Sequence, residues 1–164
     1  MRVFGIVGWK NSGKTTLTER LVAHLSAEGV TVSTIKHTHH DVDLDQPGKD
    51  SWRHRRAGAV ETLLATPTRT MLIHERRAAP EPPLDTLLAR LQPVDLVLVE
   101  GFKYHPHPKL EVSRRAIGRP LIARTEPSIV ALATDYLPDG TDLPRFELDQ
   151  VAAIARFILA RGRG

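Results

Sequence analysis

The stretch Gly8-Trp9-Lys10-Asn11-Ser12-Gly13-Lys14-Thr15 holds the densest chemistry in the chain. Two glycines five residues apart, followed by Lys and a hydroxyl, fit the spacing of a phosphate-binding loop. Backbone N–H groups in such a turn wrap a phosphate with no Cβ in the way, and the following helix N-terminus adds partial positive charge. Gly8, Asn11, Ser12, Gly13, Lys14, Thr15 and Thr16 are therefore candidate nucleotide contacts. In this chemistry Lys14 reaches the β- and γ-phosphates and the Thr15 hydroxyl ligates Mg²⁺.

A second stretch, Val94-Asp95-Leu96-Val97-Leu98-Val99-Glu100-Gly101-Phe102-Lys103, reads as a strand buried on both faces. Glu100 falls where the strand leaves the sheet on the ligand side, so it is the candidate acid for Mg²⁺, and Gly101 permits close approach to a γ-phosphate. Asp95 belongs at the opposite end, roughly 16 Å away at ~3.3 Å per residue. The loop after Ile35 is dense in ionisable groups, with His37, His39, His40, Asp41, Asp43, Asp45, Asp50 and a Pro47-Gly48 turn. It reads as a switch facing the γ-phosphate, as a transition-metal site, or as a solvated connection. Spacing does not choose among the four acids. Asp50 is carried forward with Lys14 and Glu100 as the catalytic set. Asp135, just past a late strand, is placed to accept hydrogen bonds from guanine N1 and N2, although no Asn-Lys-x-Asp element is present. Lys103, Lys109, Glu111 and Arg114 read equally as contacts for a second ligand's phosphate or a protein partner and as ordinary strand-face charges.

The elements that must position these groups follow from pattern. A buried strand is expected over Arg2–Val7 and a helix over 16–27, with Leu17, Leu21, Val22 and Leu25 on one face. Strands are expected over 30–35, 60–65, 70–74, 120–124 and 128–133, and a short helix over 52–59. Leu84, Leu87, Leu88 and Leu91 mark an amphipathic helix stopped by Pro93, and Val151, Ile154, Ala155 and Ile158 a closing one. Residues 109–114 alternate, which predicts a strand with one wet face. The fold class is α/β, a mostly parallel sheet flanked by helices, with an additional antiparallel hairpin or edge strands.

The 164 residues suit one domain, 1–164, and 41% hydrophobic with 26% charged residues is ordinary for a globular chain. No cysteine is present, so disulfides and thiolate metal sites are excluded. The net charge of +4 invites a nucleic-acid reading, but only 5% of residues are aromatic and no basic tail exists, so nucleic acid is not the expected partner. No apolar run approaches a membrane span, and no basic-then-apolar leader opens the chain. A cytoplasmic location is the expectation.

Taken together, Gly8 to Thr16, Lys36-His37-x-His39-His40, Gly48-Lys49-Asp50-Ser51, 53–59, 95–103 and Lys109-Leu110-Glu111-Val112 resemble the MobB family of molybdopterin-guanine dinucleotide biosynthesis adaptors. The resemblance covers nearly the whole chain. It implies a GTP-binding, weakly hydrolysing homodimer that assists the molybdenum cofactor guanylyltransferase attaching GMP to molybdopterin. Molybdopterin or its guanine dinucleotide would be a second ligand. Two other readings remain open: a small-molecule P-loop kinase using Arg53 to Arg56, and a nickel-type metallochaperone GTPase using the His loop.

Overall fold

The structure is a computed structural model that describes residues 1–38 and 42–161. The chain divides into two compact units, one of residues 1–38 and 84–164, the other of residues 39–83.

The larger unit is built on a six-stranded parallel sheet. In chain order its strands are β1 (Arg2–Val7), β2 (Val32–Lys36), β5 (Leu96–Glu100), β6 (Lys109–Ser113), β7 (Ile129–Thr134) and β8 (Arg145–Phe146), arranged β2-β5-β1-β6-β7-β8. Every pairing in it is parallel, so the carboxyl ends of all six strands share one edge.

The period-two alternation of β5 divides its side chains between two cores. Leu96 and Leu98 join Phe4, Ile6, Leu110 and Val112 against helices α1 (Lys14–Ala27) and α4 (Val151–Arg161). Val97 and Val99 face the other way, onto Leu84 of α3 (Leu84–Leu88). Each fully buried Leu or Val contributes roughly 1.5–3 kcal/mol, so the central strand is strongly held from both sides. With that parity Glu100 lies on the α1 face, where the P-loop helix begins.

Strand β6 departs from expectation. Its alternation predicts one wet face, yet all five residues are buried. Leu110 and Val112 pack toward α1 and α4, while Lys109, Glu111 and Ser113 occupy the opposite face and are satisfied internally. The Lys109 ammonium donates to the His105 and His107 carbonyls and to Ser128 Oγ. Glu111 accepts from the Ile122 and Ala123 amides, 2.9 Å each. Those amides open a 3-10 turn, Ile122–Arg124. Residues 120–124 are therefore not a strand: a buried carboxylate caps their backbone N–H groups, and ladder pairing is forgone. The two-residue β8 was not expected from sequence.

The smaller unit holds helix α2 (Asp50–Ala57) and an antiparallel hairpin of β3 (Glu61–Ala65) and β4 (Thr70–His74). Arg55 organises it. Its guanidinium binds Asp43 at 2.9 Å, Asp45 at 3.0 Å and Glu75 at 2.6 Å. Asp45, itself buried, also accepts from Ser51 Oγ and the Gln46 amide.

Candidate functional site

The loop between β1 and α1 is shaped before anything binds it. A Cβ on Gly8, whose φ is +149°, would collide with the Val112 carbonyl oxygen and lie 2.6 Å from Ser12 Oγ, so no other residue fits that turn. Arg114 Nε donates to the Ser12 carbonyl at 3.1 Å, bracing the loop from the end of β6. Asn11 takes a left-handed φ of 64°, and Gly13 is the N-cap of α1. Ser12 Oγ is buried and has no hydrogen-bond partner among the described residues, an orphan donor at the loop's centre.

Lys14 folds back to donate to the Trp9 carbonyl at 2.8 Å. Burial pulls its pKa below the usual lysine value, Glu100 opposes that shift, and Lys103 and Lys36 add to it. Thr15 Oγ1 stands 3.0 and 3.2 Å from the two oxygens of Glu100, joining the first turn of α1 to the end of β5. The hydroxyl and carboxylate that sequence assigns to the metal are thus brought together. Thr16 is exposed on the same turn. At Gly101, with φ +105°, the space a Cβ would need is taken by His37 Cβ, 2.8 Å away.

Other candidates fall elsewhere. Asp135 is exposed past β7 at the same carboxyl edge, and accepts the Arg115 amide at 2.8 Å. Asp50 opens α2 in the smaller unit, exposed, 3.9 Å from Arg53. Asp43 and Asp45 are committed to Arg55, while Asp41, His39 and His40 lie outside the described residues. No cluster of three metal-ligating side chains occurs among the described residues. Lys109 and Glu111 face the interior, so the reading of them as contacts for a second ligand or partner is corrected; Arg114 meets the Ser12 carbonyl and Lys103 the Trp9 ring.

Two groups were missed from sequence. Lys36 pairs in register with Glu100 and places Nζ 3.5 Å from Glu100 Oε1 and 3.4 Å from Thr15 Oγ1. The strand runs one residue beyond the expected Ile35, to Lys36, and its pairing with β5 makes that lysine a neighbour of Glu100. Trp9 donates Nε1–H to the Pro120 carbonyl, with Lys103 4.6 Å and Arg119 5.7 Å from its ring centre.

A strand, a glycine-bearing loop and a helix at the carboxyl edge of a parallel sheet, with lysine, hydroxyl and strand-end carboxylate converging there, define the P-loop NTPase fold. Comparison narrows the class. The profile of the family "molybdopterin guanine dinucleotide synthesis protein B" matches residues 3–135. The molybdopterin-guanine dinucleotide biosynthesis adapter protein of Haemophilus influenzae is 40% identical over 159 residues, covering 95% of this chain and 86% of its own. Its Escherichia coli counterpart is 36% identical over 160 residues, covering 96% and 91%. The crystal structure of a MobB homologue from Bacillus stearothermophilus superposes with a TM-score of 0.73 at 30% identity, covering 98% of this chain and all of that one. The chain belongs to the MobB family.

Proposed function

We propose that this protein binds Mg²⁺–GTP, hydrolyses it slowly, and serves as an adaptor in molybdopterin-guanine dinucleotide biosynthesis, acting with the guanylyltransferase that joins GMP to molybdopterin. The observation that carries the nucleotide part is the Thr15–Glu100 contact at the mouth of the loop, beside Lys14. The orphaned Ser12 hydroxyl suits a phosphate oxygen, and the glycine at position 8 lets the loop take this turn against β6. Thr15 and Glu100 would hold the cation, two hard oxygen donors of the kind Mg²⁺ takes alongside phosphate oxygens. When bound, that cation would neutralise charge on the β- and γ-oxygens. Lys14 would leave the Trp9 carbonyl for the phosphates, and the backbone of 8–13 would orient them. Arg114, an arginine that reaches the loop, commits its Nε–H to the Ser12 carbonyl, and intrinsic turnover is expected on the slow P-loop scale of about 10⁻⁴ to 10⁻² s⁻¹. Asp135 is the proposed guanine reader and Asp50 the proposed acid of the switch segment. The adaptor role rests on family membership, with molybdopterin or its dinucleotide as second ligand. A homodimer fits the hairpin, where Leu63 and Leu72 pair directly and are 65% and 53% exposed. Among the described residues no helix is long and apolar enough to cross a membrane, and a cytoplasmic site of action fits this reading.

The test is titration with GTP and ATP with and without Mg²⁺, followed by cofactor formation with molybdopterin and the transferase. GTP should bind more tightly than ATP and Asp135→Ala should erase the difference, since losing a recognised base edge leaves buried polar groups unpaired. Equal affinity for the two nucleotides refutes the guanine assignment, and a partner-free rate near ~10 s⁻¹, a kinase's scale, refutes the adaptor.

A further inference from the structure

We propose that Lys36 is the resident counter-ion of the metal position: an ammonium that holds the Thr15–Glu100 pair until a divalent cation arrives with nucleotide, and then turns to the terminal phosphate. The inference rests on the metal–nucleotide reading of this site. It starts from register. In the parallel ladder Lys36 lies directly beside Glu100, so both side chains rise on the α1 face. Lys36 Nζ is within 3.5 Å of Glu100 Oε1 and 3.4 Å of Thr15 Oγ1, the two groups that would ligate the cation.

The pair is lopsided. The Glu100 side chain is 11% exposed and that of Lys36 58%. A carboxylate so withdrawn from water needs a partner, whereas a lysine on a flexible stem gives up an exposed ion pair at little cost. Lys14 does not fill that role, because its ammonium is held by the Trp9 carbonyl. Lys14 already feels the positive charge of Lys36 and Lys103 as well as the negative charge of Glu100. Adding a divalent cation between Thr15 and Glu100 would force Lys36 out, and a triphosphate supplies the nearest new anion. Metal alone must compete with Lys36, while metal with nucleotide need not. Lys36 is therefore a positioning residue that makes metal and nucleotide binding interdependent.

The experiment measures Mn²⁺ binding to the full-length protein by EPR, with and without GTP. The parent should bind Mn²⁺ weakly alone and much more tightly with GTP. In Lys36→Gln, Mn²⁺ alone should bind about thirty-fold more tightly, as expected from removing one unit charge beside a divalent cation at this range in a water-like dielectric. The gain on adding GTP should shrink correspondingly, and Lys36→Arg should restore parental behaviour. Glu100→Gln should weaken Mn²⁺ binding in both conditions, on the order of 10–100-fold. Equal nucleotide-free Mn²⁺ affinity in parent and Lys36→Gln overturns the proposal, as does Mn²⁺ binding left unchanged by Glu100→Gln. A parent that takes up no Mn²⁺ even with GTP overturns the metal–nucleotide reading beneath it.

Discussion

Glu100 and Asp95 bound the same strand and do unlike work. Glu100 meets the Thr15 hydroxyl, whereas Asp95 accepts from the Thr31 amide at 2.9 Å and from Thr31 Oγ1 at 2.6 Å, tying the start of β2 to the start of β5. Glu100→Gln should weaken Mg²⁺-dependent GTP affinity on the order of 10–100-fold, the range typical when a metal-supporting group is lost. Asp95→Asn should leave affinity and turnover near parental values and lower only the melting temperature. Isothermal titration and thermal denaturation of both variants check this, and the reverse pattern in folded protein would refute the placement of the site. The phosphate loop and Glu100 were legible because glycine spacing and strand-end position are local signals. Lys36 was not, since its relevance lies in register with β5, a strand distant in sequence, which no local window contains.

The same limit shows in the elements. The pattern K-L-E-V-S-R reports residue types, not the acceptors that satisfy them, so β6 read as half-solvated although it is wholly buried. Residues 120–124 misled for the converse reason: their apolar run was visible and the Glu111 cap was not. The long periodic helices and the apolar core of β5 needed no tertiary knowledge and were read to within a few residues. The polar lining of β6 also carries a pH dependence. His107 packs against Gly5, where a Cβ would come within 2.6 Å of its Nε2, and is only 5% exposed. Burial, with help from Lys109 and His105, pushes its pKa down to about 3 from an ordinary 6.5. The folded state holds this ring neutral while the unfolded chain protonates it, so its contribution is intact above about pH 6.5 and is lost as pH falls toward 3. The slope is bounded by about 1.4 kcal/mol per pH unit for one proton. Urea denaturation across that window should show a flatter pH profile in His107→Leu than in the parent. An unchanged slope would mean that other groups govern acid stability.

At the scale of the molecule, the hairpin is the feature that least resembles a finished surface. Leu63 and Leu72 stand side by side on one of its faces, and a two-stranded hairpin is marginal by itself in water. Covering them with the same face of a second copy would remove that apolar area from solvent. Leu63→Asp with Leu72→Asp should convert the proposed dimer to a monomer in sedimentation velocity, while GTP affinity, proposed to reside in the larger unit, changes less than about two-fold, as expected for distant independent sites. A dimer that survives both substitutions would place the interface elsewhere.

In sequence, residues 39–83 fall between β2 and β5, which pair with one another residue for residue. Closing that ladder means bringing together segments separated by the whole of residues 39–83, a chain-entropy cost that rises by about 0.6 kcal/mol with each doubling of loop length. The β3–β4 hairpin is made of near neighbours and can form on the microsecond scale, shortening the effective loop before the sheet assembles. Its turn is fastened by Thr66, whose hydroxyl donates to the Arg69 carbonyl and accepts from the Arg69 amide. Thr66→Ala should therefore slow refolding and leave the unfolding rate nearly unchanged, the mark of structure already present in the transition state. Faster unfolding at an unchanged refolding rate would show that the hairpin forms after the sheet closes.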